Sequence, residues 1–173
     1  MSDPTDLLDE IAAAEDAFSH AKGRPRFEPD LNSGADADQG EVQIQKACRL
    51  LSLAHQIDEL GEYYGAILEH SFIVIEHTLQ GYLLAVTGTD PSELRDHDSP
   101  YDFAKGQVPL EDDTIESLKR LYDARRTTHY YGTTVTTADQ AERMRTVATL
   151  VHEYIVSFDP ELEQFCLCSS TNQ

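Results

Sequence analysis

The sequence predicts an all-α fold: a four-to-five-helix up-and-down bundle with an N-terminal helical arm. Two observations carry this. Almost every apolar segment recurs at spacings of three and four residues, the signature of one helix face. Continuous alternation of apolar and polar residues, which a half-buried strand requires, is absent. A bundle of this kind buries one or two apolar stripes per helix around a shared core.

The elements follow in order. Asp3-Pro4 reads as a cap with proline at the first helical position, and Leu7, Leu8, Ile11, Ala14 and Phe18 then share a face. This arm spans residues 1–22. Residues 23–40, rich in glycine, proline and acids, read as a flexible linker. The bundle proper is expected over 41–158. Its first stripe is Ile44, Ala47, Cys48, Leu51, Ala54, Ile57 and Leu60, stopped by Gly61. A long helix over about 62–87 follows with two apolar faces. One is Leu68, Phe72, Ile75, Leu79, Leu83 and Val86; the other is Ile67, Ser71, Val74, Thr78, Gly81 and Ala85. Two packed faces place a helix centrally in a bundle or at a subunit interface. Gly88, Asp90-Pro91 and Ser99-Pro100 break the next region, with room for one short helix. Ile115, Leu118, Leu121 and Tyr122 predict a helix over about 112–128, and 129–136 a short connector. Thr137-Ala138-Asp139-Gln140 has the form of a capping box. It opens the last helix, carried by Ala141, Met144, Val147, Val151, Tyr154, Ile155 and Phe158 and stopped by Pro160. Residues 159–173 read as a polar tail.

Composition narrows the function. The chain has 173 residues, 13 basic and 32 acidic, a net charge of −19. At about 150 residues per domain this is one domain with extensions. Such acidity excludes nucleic-acid binding by a global positive field; only a local patch can serve. The acids are spread along the chain, and Lys is scarce (four against nine Arg), a pattern that resembles proteins of halophilic archaea. No apolar run reaches the ~18 residues of a membrane span. The acidic MSDPTDLLDE lacks the order of a secretion signal, so a cytoplasmic location without membrane attachment is expected.

Against this acidic background residues 119–126, KRLYDARR, stand out with four cations and one acid. Cations at a helix C-terminus complement its dipole, which accounts for one or two of them. Four suggest an anion site. Arg125-Arg126-Thr127-Thr128-His129-Tyr130-Tyr131 continues the segment. Guanidinium offers a fixed fork for phosphate, imidazole moves protons near neutral pH, and tyrosine supplies a stacking face. Together they form a kit for cleaving RNA without a metal.

The order of parts here resembles the HEPN domain family. KACRLLSLAHQIDELGEYYGAILEHSFIVIEHTLQGYLLAVTG gives two helices joined at a Gly-Glu-Tyr turn; SPYDFAKGQ is the broken region; LKRLYDARRTTHYYGTTVT ends the third helix; TADQAERMRTVATLVHEYIVSF is the last. The resemblance covers about two-thirds of the chain. It implies a metal-independent ribonuclease motif of Arg, four to six residues, then His. His129 matches the His, and Tyr131 matches a tyrosine that can receive nucleotide from a minimal nucleotidyltransferase partner in toxin–antitoxin pairs. Arg125 leaves only three residues before His129; the two share a face if the helix continues that far, and their geometry is open if it ends earlier. The implied roles are Arg125 and His129 as catalytic pair, Arg120 and Arg126 on phosphate, and Tyr131 as stacking or modification site. The implied partners are a second copy in a homodimer, RNA or a nucleotide, and the nucleotidyltransferase. The competing expectation is a catalytically inactive binding module of the same fold.

Three other candidates carry less. Glu69-His70 and Glu76-His77 repeat at seven residues, about 10.5 Å along a helix, too far for both histidines to hold one ion. Cys166-Leu167-Cys168 has no matching ligand pair after it and falls in the tail. His20 to Arg26 matches no phosphate-binding loop. The sequence therefore predicts no metal and no cofactor.

Overall fold

The computed structural model describes residues 11–15, 38–131 and 135–168; for 126–131 it describes the backbone. The Asp3-Pro4 cap, Leu7, Leu8, Phe18, the basic stretch from His20 to Arg26 and most of the linker lie outside the described residues. The chain divides into two compact units, 1–37 and 38–173. In the first, 11–15 are helical.

The second unit is all-helical among its described residues. Helix α1 spans Gln39–Leu60. The Asp38 carboxylate caps it by accepting from the Gly40 amide at 2.7 Å, satisfying a donor that the first turn leaves open. It ends at Gly61, whose φ of 71° suits a residue without Cβ. Helix α2 spans Tyr64–Tyr82 and continues as a π-helical turn, Leu83–Thr87, closed by left-handed Gly88. After a 3-10 turn at Pro91–Glu93 and the short α3, Ser99–Ala104, come α4, Asp112–Tyr131, and α5, Ala138–Val156. The capping box of α5 is complete: Thr137 Oγ1 accepts from the Gln140 amide and Gln140 Oε1 from the Thr137 amide. Asp159 caps the last helix, α6, Pro160–Phe165.

Helix α2 is the centre. Its two apolar faces are both covered within the chain, by α1 and by α5. Phe72, Ile75, Leu79 and Leu83 are buried on one face, and Ile67, Ser71, Val74 and Thr78 on the other. Helices α1 and α2 meet closely at one end, where a Cβ on Gly40 would lie 2.6 Å from Ala85 Cβ and one on Gly81 2.5 Å from Ile44 Cδ1.

Two expectations are corrected. The connector at 129–136 begins later than its composition suggests, because α4 runs through Tyr131. The segment after Pro160 is not simply a polar tail: proline at the first turn of α6 starts a helix as readily as it stops one. That helix buries Leu162 in the main core, with Phe165, Cys166 and Cys168 packed against it.

Candidate functional site

The basic segment lies on α4, and two of its four cations, Lys119 and Arg125, are held by carboxylates of other helices. Lys119 donates to Asp102 Oδ1 on α3 at 2.6 Å. Arg120 donates to Ser117 Oγ at 2.8 Å and lies 4.0 Å from Glu116. Arg125 forms an ion pair with Glu69 on α2, its side chain only 10% exposed. Its guanidinium also stands 5.4 Å from the centre of the Phe72 ring, a cation–π distance. Tyr122, which stands between Arg120 and Arg125 in sequence, is core: its ring stacks on Tyr101 at 5.7 Å and meets Phe72 edge-on at 5.9 Å. Arg126, His129 and Tyr131 belong to the last turns of α4; their side chains lie outside the described part of the structure. Arg125 and His129 are four positions apart on one uninterrupted helix, the spacing of neighbours one turn apart.

Beside Arg125 opens a cleft of about 350 Å³ between α2, α4 and α5. Leu68, Phe72, Leu121 and Met144 give it apolar walls, and Arg125, Thr136 and Arg143 lie around them. Arg143 donates to Asp139 Oδ1 at 2.9 Å. The cleft therefore offers apolar surface with cations already paired to carboxylates.

The paired Glu-His steps of α2 separate into unrelated tasks. Glu69 holds Arg125. Glu76, 7% exposed, accepts from or donates to His97 Nδ1 at 2.8 Å; burial raises its pKa, and His97 opposes this. His77 faces Gln80 Oε1 at 3.3 Å, and burial lowers its pKa to about 4.

The second cluster was not legible in the sequence. Cys48 from α1, His152 from α5, and Cys166 and Cys168 from the segment after α6 bring one ligand atom each to a single point. The four atoms lie within 4.8 Å of one another. His152 Nε2 is 3.3 Å from Cys48 Sγ, 3.5 Å from Cys166 Sγ and 3.4 Å from Cys168 Sγ. Cys48 and Cys166 sulfurs are 3.3 Å apart. The opposite ring nitrogen, Nδ1, lies 2.9 Å from Thr78 Oγ1, which fixes the imidazole plane. The Leu167 amide donates to Cys48 Sγ at 3.3 Å. Hydrogen bonds from Cys168 and then Cys48 drive the Cys166 thiol far below its usual range, while its bond to Cys166 pushes Cys48 up to about 12. The expectation of unmatched tail cysteines is thus corrected. The partners precede the Cys-x-Cys pair in the chain, and Cys48 reads as core because it sits in an apolar stripe.

No curated protein and no solved structure matches the chain. A family profile does so from end to end: over residues 2–168 the chain belongs to the family described as a domain of unknown function, DUF8154.

Proposed function

We propose that the chain is a HEPN-like helical module that binds an unstacked base of RNA or a nucleotide in the cleft between α2, α4 and α5, without cleaving it. The observation that carries this is the double engagement of Arg125. A guanidinium paired with Glu69 and seated over Phe72 is a wall of the cleft. To neutralise charge developing on a phosphorane it must leave a carboxylate. Apolar walls beside a stacked guanidinium suit the face of a base, which every nucleotide presents.

A second reading, the metal-independent ribonuclease, is favoured by the unbroken run of α4 through Tyr131. In that reading Arg125 and His129 act as a pair, Arg120 and Arg126 contact phosphate, and two chains face each other as a homodimer. Tyr131 is then a site that a nucleotidyltransferase partner modifies.

Fluorescence titration of short single-stranded RNA and of nucleotides tests the binding proposal. Ala124→Phe fills the cleft from an exposed position on α4 and is expected to lower affinity at least tenfold with the helical content unchanged. No binding at millimolar ligand in low salt overturns the proposal. RNA cleavage by wild type that vanishes in both His129→Ala and Arg125→Ala replaces it with the ribonuclease reading. A mass of one chain at micromolar concentration removes the shared site of that second reading.

A further inference from the structure

We infer that Cys48, His152, Cys166 and Cys168 form a structural binding site for one zinc ion. Three thiolates and an imidazole are a soft-to-borderline donor set, which zinc prefers over the oxygen-loving calcium and magnesium. The spacing fits as well. A tetrahedron with ~2.3 Å bonds to sulfur and ~2.0 Å to nitrogen has sulfur–nitrogen edges of roughly 3.5 Å and sulfur–sulfur edges of roughly 3.8 Å. The distances among these atoms run from 3.3 to 3.5 Å for four of the pairs, so a modest expansion around the ion suffices.

Two features outside the ligand set support a metal over a disulfide or simple packing. A disulfide needs no imidazole, yet Nε2 of His152 is aimed at all three sulfurs. Its Nδ1 meets a buried hydroxyl, Thr78 Oγ1, the kind of outer partner that sets the tautomer of metal-bound histidines. The Leu167 amide donates to Cys48 sulfur, a bond that a thiolate ligand rewards. An odd number of cysteines also leaves one thiol over from any intrachain disulfide.

The site is closed. Four protein ligands complete a tetrahedron and leave no position for substrate water, which is the mark of a structural rather than a catalytic zinc. Its ligands come from α1, α5 and the segment after α6. The ion therefore ties the C-terminal segment onto the bundle across sequence separations of 104 and 118 residues from Cys48. The site stands apart from the cleft beside Arg125, with which it shares no lining residue.

The test uses the full chain, purified under reducing conditions. Elemental analysis is expected to find one zinc per chain. Cobalt(II) added to the chelator-treated, reduced protein should give the intense visible bands of tetrahedral coordination and thiolate-to-cobalt charge transfer. Cys168→Ser, on a partly exposed residue, should abolish the charge-transfer intensity of one thiolate and weaken zinc binding by more than 100-fold in a chelator competition. Thr78→Val keeps the shape of the buried side chain and removes only the bond to Nδ1; the expected loss is about 10- to 100-fold in zinc affinity. Should Cys168→Ser fail to fold, Thr78→Val and the wild-type cobalt spectrum still decide. Zinc well below one per chain after reconstitution overturns the site. So does cobalt without thiolate bands, or a native mass two hydrogens short of the reduced chain with no metal bound.

Discussion

Arg125 shows how a residue's meaning depends on what faces it. In sequence it is the strongest cation of an anion site. In the fold it is an ion-pair partner of Glu69, with side chains 10% and 29% exposed. Removing one partner of a buried pair leaves the other charge uncompensated. Glu69→Ala is expected to cost roughly 2–3 kcal/mol, less than the ~3–5 of a fully buried pair because Glu69 keeps contact with water. Urea denaturation measures it, and a change below 0.5 kcal/mol on the scale of surface substitutions contradicts the pairing. His77 gives a pH dependence of defined sign. Burial, aided by Lys46 and His97, lowers its pKa from 6.5 to about 4 in the folded chain. Between those values the unfolded state binds a proton that the native state refuses. Its contribution is therefore complete above pH 6.5 and is lost as pH falls towards 4, up to ~3 kcal/mol at ~1.4 kcal/mol per pH unit. Glu76 works in the opposite sense: its raised pKa favours the native state as pH falls. Comparing His77→Gln with wild type isolates the term; the variant's stability should fall less between pH 6.5 and 4. Equal slopes in the two proteins rule it out.

At the scale of elements, the main helices of the bundle were readable, whereas the short α6 and the helix ends were less so. The α5 capping box was legible because both its bonds are local, spanning Thr137 to Gln140. The end of α4 was not, because threonines and tyrosines after Arg126 fit a connector by propensity while the helix continues through them. The close approach of α1 to the end of α2 is invisible in either helix alone. It requires glycine at position 40, where a Cβ would meet Ala85 Cβ at 2.6 Å and the Ala85 backbone nitrogen at 2.9 Å. Both are rigid atoms, so Gly40→Ala should push the helices apart at a cost of about 1–3 kcal/mol. A thermal midpoint equal to or above wild type contradicts this. Gly81→Ala should cost less, since the atom met first is the far end of Ile44.

For the whole molecule, the net charge of −19 excludes a globally attractive surface for nucleic acid, and the fold pairs three cations of the local patch with carboxylates. Lys119, Arg120 and Arg125 each have a carboxylate at hand, in Asp102, Glu116 and Glu69. Four open phosphate contacts to a single strand give a slope near −2.8 in log affinity against log salt. The paired arrangement predicts a slope no steeper than about −0.7, one contact's worth, in anisotropy titrations of labelled RNA. A slope near −2.8 means that the ion pairs open on binding and restores the cationic patch. No helix among the described residues is long and apolar enough to cross a membrane.

Periodicity and local chemistry alone established the helical class, the two apolar faces of the helix after Gly61, the α5 cap and the segment at 119–126 where positive charge gathers. Each is a matter of periodicity or of bonds between near neighbours, which a linear reading captures. The pairing of Lys119 and Arg125 became visible only in the folded chain, because Asp102 and Glu69 reach α4 from other helices. Tertiary structure alone assembled the three cysteines and His152. Cys48 lies 118 residues before Cys166, and only packing of α1, α5 and the C-terminal segment on one another sets their sulfurs around a single point.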